Sequence, residues 1–106
     1  MRDILKIYSS VLDLIEECDG SRWKSPDRNY CTTELGEYTF EISRFGILTV
    51  YDEEKNTVLN MNERDSSELS ARVVLLHTEA VKKRQDFDSK RLERLDKLLE
   101  NESILD

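Results

Sequence analysis

Carboxylates are the side chains in this sequence whose number and spacing best suit a chemical role. Seven acidic and three basic residues fall within residues 37–65. Clustered carboxylates can hold a hard cation or attract a basic partner. The run at residues 52–54 lacks the DxDxDG spacing of a calcium loop, which favours a solvated turn. We therefore predict a surface that binds a basic protein partner, formed by Glu37, Glu41, Asp52, Glu53 and Glu54.

Catalytic candidates are few. His77 is the only histidine, so a nucleophilic triad has a single base available, and its neighbours on the predicted helix face are aliphatic. The P-loop, GxGxxG, HExxH and GxSxG patterns are all absent from the sequence. We therefore expect a protein that is not an enzyme, with His77 as a half-buried structural residue.

The two cysteines carry no metal or redox signature. Cys18 and Cys31 lack CxxC spacing, and one histidine cannot complete a Cys2His2 zinc site. We interpret them as reduced, buried thiols rather than a disulfide. No metal and no cofactor is expected.

Composition favours one small acidic domain. The 106 residues are 38% hydrophobic and 37% charged, with a net charge of −7, which suits a single α+β domain over residues 1–106. Apolar runs are too short for a membrane span, and the N-terminus lacks a secretory pattern, so we expect a soluble, cytoplasmic protein. Phosphate contacts need clustered lysine and arginine, so the acidic balance argues against direct nucleic-acid binding.

The stretch 36–62 predicts a three-stranded antiparallel meander. Apolar and polar residues alternate over 37–43, and shorter alternating runs follow at 47–51 and 57–62. Gly46 in the first turn and Asn56 in the second tolerate a left-handed backbone. The predicted inner face comprises Tyr38, Phe40, Ile42, Leu48, Val50, Leu59 and Met61.

Two segments precede the meander. Residues 30–35 predict a fourth strand, and residues 19–29 predict a loop. Trp23 lies in that loop among basic residues, and it either packs over the edge of the core or anchors a partner, as Trp and Arg often do. The core role is favoured, and Trp23 and Arg22 are retained as candidate partner-binding residues.

Helices are predicted at both ends of the chain. The first begins at Asp3, its N-cap, and ends at Gly20. The second begins near residue 66 with Asp65 as cap; it either breaks near residues 86–89 or continues to about residue 101. The segment 88–106 projects from the domain or mediates dimerisation. Its leucines can fold back, pair with a second copy or bind another protein, and the predicted oligomer interface is Leu92, Leu95 and Leu99.

The expected architecture is α+β: a three- to four-stranded antiparallel meander with an N-terminal helix and one long or two shorter C-terminal helices on one face. The favoured function is a protein-binding regulator or inhibitor that occludes a partner's surface, for example that of a basic nucleic-acid-binding protein. Small inhibitors from phages and mobile elements have this general character. The alternative is a homo-oligomeric binder of a small molecule such as a nucleotide. Its polar groups would come from the meander, Thr39, Tyr51, Asn60 and Asn62, and from the loop, Arg22, Trp23 and Arg28.

Overall fold

A five-stranded sheet and two helices make up the computed structural model, which describes residues 3–102. The elements are α1 Ile4–Glu16, β1 Trp23–Asp27, β2 Tyr30–Leu35, β3 Tyr38–Ser43, β4 Leu48–Tyr51, β5 Thr57–Met61 and α2 Ser67–Glu102. Each strand pairs antiparallel with the next in the chain. The predicted α+β class is confirmed, with one strand more than expected. Residues 103–106 of the predicted C-terminal segment lie outside the described residues.

The additional strand, β1, lies where the sequence predicts a loop, so that prediction is wrong. Trp23 pairs with Thr33, but the register shifts between Lys24 and Asp27. Pro26 lies inside this shift. Proline has no N–H to donate to a neighbouring strand, so within sheets it is restricted to edge strands and bulges, where that hydrogen bond is not needed. The segment WKSPD has a single large apolar side chain, Trp23, so it shows no two-residue alternation that would predict a strand.

The sheet and both helices share one hydrophobic core. Most of the predicted inner face is buried: Phe40, Ile42, Leu48, Val50 and Met61. Tyr38 is an exception at 39% exposure, and Leu59 is partly buried. The helices complete the core with Tyr8, Leu12, Ile15, Val73, Leu76 and Ala80.

The predicted start of α1 is confirmed and its predicted end is wrong. The Asp3 carboxylate accepts a hydrogen bond from the Leu5 N–H at 3.0 Å, as an N-cap does. The helix ends at Glu16, before Gly20. A Cβ on Gly20 would lie 2.2 Å from the Lys83 carbonyl oxygen. Gly20 therefore allows the chain after α1 to approach α2 closely.

The remaining turns also correct two local predictions. Lys55, not Asn56, has a positive φ, of 66°; the Asp52 carboxylate accepts from the Asn56 N–H at 2.9 Å. At the start of α2, Ser66 Oγ accepts from the Leu69 N–H at 3.1 Å. Ser66 is therefore the N-cap, because the Asp65 carboxylate accepts from the Asn62 N–H instead.

Helix α2 is continuous over 36 residues, so the unbroken alternative is the one observed. Such a helix is about 54 Å long, and the chain's largest dimension is 64 Å. From residue 88 to residue 101 every described side chain is exposed. We call residues 88–102 the arm. Neither α1 nor α2 has the length and apolarity needed to cross a membrane.

Candidate partner-binding surface

Alternate turns of an antiparallel meander lie at the same end of the sheet. The β2–β3 and β4–β5 turns therefore lie together, at the end opposite the β3–β4 turn, which contacts Ser70 of α2. A recess of about 260 Å³ lies between them. Among its described lining residues, Lys55 alone is basic. Its four carboxylates, which we call the acidic end, are Glu34, Glu37, Asp52 and Glu53.

The carboxylates at the acidic end do not all have the same role. Asp52 Oδ1 accepts from the backbone N–H groups of Glu54 and Asn56, both at 2.9 Å, and so holds its own turn. Glu34, Glu37 and Glu53 are exposed. These three exposed carboxylates can therefore bind a partner's lysine or arginine side chain without disturbing the turn.

Two of the predicted residues lie apart from the recess. Glu54 is in the same turn but does not line it, and its carboxylate accepts from Asn56 Nδ2 at 3.4 Å. Glu41 lies within the sheet, paired with Thr32 and Thr49. Burial, followed by the nearby charge of Asp27, raises the pKa of Glu41. The structure thus divides the predicted array.

Glu34 is the residue of the acidic end that the sequence analysis did not identify. It pairs with Thr39 across the β2–β3 hairpin, one position from the pairing of Leu35 with Tyr38 that closes the turn. The predicted hairpin between β2 and β3 could have identified Glu34. A tight turn at Gly36–Glu37 places the last residues of β2 beside the first residues of β3.

Trp23 is not an exposed anchor, so its inclusion among partner-binding residues is corrected. Its side chain is 2% exposed and lies in the core. Its carbonyl oxygen accepts a hydrogen bond from the Arg84 guanidinium at 2.9 Å. The neighbouring Arg22 is exposed and lies outside the recess of the acidic end.

The residues proposed for a small ligand do not converge on one recess. Thr39 lines the recess of the acidic end. Asn60 Nδ2 donates to Thr49 Oγ1 at 3.2 Å, and Asn62 Oδ1 accepts from the Arg64 N–H at 2.8 Å.

Within residues 3–102, His, Cys, Asp and Glu side chains form no group of three placed to hold a metal ion. Cys18 and Cys31 are buried, free thiols, as predicted.

His77 is more deeply buried than expected, at 5% exposure, and its Nε2 has no hydrogen-bond partner among the described residues. Burial is the main cause that lowers the pKa of His77, and the charge of Arg44 lowers it further, while Asp27 opposes them. The protonated imidazole is therefore disfavoured in the folded protein.

We expect this histidine to reduce stability as the pH falls. As the pH falls through the ordinary pKa of 6.5, the unfolded chain binds a proton at His77 before the folded chain does, so the free energy of unfolding decreases as the pH falls. Urea unfolding at pH 7.5 and 5.5 should therefore show a smaller loss for His77→Gln than for the unchanged protein. Carboxylates contribute equally to both proteins, so an identical loss would contradict the prediction.

The leucines of the arm are all exposed. Leu92, Leu95 and Leu99, the predicted oligomer interface, are 66%, 50% and 58% exposed. Leu98, which that prediction omitted, is 53% exposed. The three-, four- and seven-residue spacings of these side chains place them along one side of a helix. The arm therefore presents an apolar stripe with no cover from residues 3–102.

The fold and its surfaces define a small α+β domain with an acidic end on its sheet and a projecting helical arm. The chain matches no protein-family model, no curated protein and no solved structure. Its own geometry is therefore the basis for assigning a function.

Proposed function

We propose that this protein is a protein-binding regulator that covers a basic surface of a partner with the acidic end of its sheet. The observation that carries the proposal is the grouping of Glu34, Glu37, Asp52 and Glu53 around one recess. Three of these carboxylates are exposed, and they come from two separate hairpins.

The arrangement suits electrostatic recognition of lysine or arginine side chains. A carboxylate forms strong, charge-assisted hydrogen bonds to either cation. The net charge of −7 also attracts a basic partner from a distance and accelerates encounter, an effect that salt screens. The partner's covered surface is then closed to its other ligands. A small protein can regulate its partner in this way without catalysing a reaction.

The acidic end can be tested by reversing its three exposed carboxylates. We expect Glu34→Lys, Glu37→Lys and Glu53→Lys, combined in one protein, to weaken partner binding at least tenfold. The reason is that attraction at each contact becomes repulsion. The measurement is a quantitative pull-down from lysate of the source organism at low and high salt, followed by titration of the captured protein.

A second triple variant controls for net charge. Glu63, Glu68 and Glu79 are also exposed and lie outside the acidic end, so reversing them to lysine gives the same net charge. We expect this control to change affinity less than about threefold. Equal losses in both triple variants, or the absence of any salt-sensitive protein partner, would overturn the proposed function.

A further inference from the structure

The arm is a helical segment without packing from its own domain. Its fifteen residues span about 22 Å, and the described side chains from residue 88 to residue 101 are exposed. An isolated helix of this length is marginal in water, because most helical stability in proteins comes from the burial of an apolar face. The leucine stripe supplies such a face.

Charge along this part of α2 is polarised. Within the arm, residues 88–94 contain three basic and two acidic residues, whereas residues 96–102 contain one basic and three acidic residues. The last turn of α2 has no basic residue, although cations stabilise the C-terminal end of a helix. The root of the arm, residues 88–94, therefore has a net charge of +1, and its tip, residues 96–102, has a net charge of −2 with no basic residue in the last turn.

We propose that the occupant of the leucine stripe is the arm of a second copy of this chain, paired antiparallel. With a two-fold axis near Leu95, leucines meet leucines, and each negative tip lies beside the positive root of the other copy. A parallel pair would place root against root and tip against tip. The arm therefore combines an exposed leucine stripe with two ends of opposite charge, as a self-complementary antiparallel interface requires.

Antiparallel pairing also determines where the domains lie. Each domain is attached at the root of its arm, so the two domains lie at opposite ends of the arm pair. The dimer would then present two acidic ends and engage a partner with two basic sites more tightly than one copy can. The pairing itself does not depend on the proposed function, since it uses no residue of the acidic end.

The oligomeric state tests the pairing. By sedimentation and light scattering of the full chain, we expect a dimer whose dissociation constant rises at high salt. Leu95→Glu should raise that constant about a hundredfold, because it introduces facing charges into the stripe. Leu75→Glu is the control, since Leu75 is also an exposed leucine of α2, at 65% against 50% for Leu95, but lies outside the arm. It should leave the dimer unchanged.

The orientation is tested by a spin label on Lys82→Cys, an exposed position outside the arm; the native cysteines are buried. Antiparallel arms centred on Leu95 place the two labels roughly 40 Å apart, whereas parallel arms place them within roughly 25 Å. The shorter distance would overturn the antiparallel arrangement. A monomer at high protein concentration would overturn the pairing and leave the stripe to a different protein. Loss of the acidic end's partner would affect neither result.

Discussion

Replacing Trp23 with alanine is expected to lower the free energy of unfolding by about 3–5 kcal/mol, the usual cost of truncating a large buried aromatic side chain. Trp23 is 2% exposed and is among the largest fully buried side chains. Domains of this size are stable by only about 5–15 kcal/mol. The variant should therefore lose a large part of its stability, measurable by urea or thermal unfolding.

Phe45 provides the matched control for this prediction. Its ring is 56% exposed, with the Arg44 guanidinium 4.8 Å from its centroid. Phe45→Ala should cost no more than about 1 kcal/mol, because little apolar area and only an exposed cation–π contact are lost. A Trp23→Ala protein that keeps its stability but no longer binds its partner would instead restore Trp23 as an anchor.

Trp23 illustrates what the sequence could not provide. The meander was predictable because apolar and polar residues alternate along β3, and the inner-face residues Phe40, Ile42 and Val50 are buried accordingly. β1, with the sequence WKSPD, has no such alternation, and its pairing shifts register between Lys24 and Asp27. Its place on the edge of the sheet depends on contact with α2, some sixty residues later, including the Arg84 hydrogen bond.

The candidate site was predictable in its charge but not in its grouping. Local composition identified the acidic turns, and Glu37, Asp52 and Glu53 do lie together. Glu41 was assigned to the same array, yet strand register places it between Thr32 and Thr49. Grouping across strands depends on register, which composition does not contain.

The continuity of α2 also depended on tertiary contacts. The polar stretch 82–94 contains no proline or glycine to break a helix and no apolar stripe to stabilise one. In the structure, Lys83 Nζ donates to the carbonyl oxygens of Glu16 and Cys18, at 3.0 and 3.1 Å. Arg84 donates to the Trp23 carbonyl. These bonds hold the helix against the domain up to the point where the arm begins.

Gly46→Ala is expected to destabilise the protein by about 3–5 kcal/mol, for two reasons that add. A φ of 81° at Gly46 costs a residue with a Cβ roughly 1–2 kcal/mol. The new Cβ would also lie 2.2 Å from Ser70 Oγ and 2.9 Å from the Ser70 carbonyl oxygen. Ser70 must then move, and the buried hydrogen bond from Ser70 Oγ to the Gly46 carbonyl, 2.9 Å long, is lost.

Gly36→Ala separates the backbone cost from the contact. Gly36 has a similar φ of 63°, but a Cβ there would meet nothing within 4 Å. Chemical unfolding of both variants should therefore give a loss of only about 1–2 kcal/mol for Gly36→Ala. The difference between the variants measures how tightly the β3–β4 turn packs on the first turns of α2. Equal losses would mean that the start of α2 shifts without cost, and that this contact does not fix the helix on the sheet.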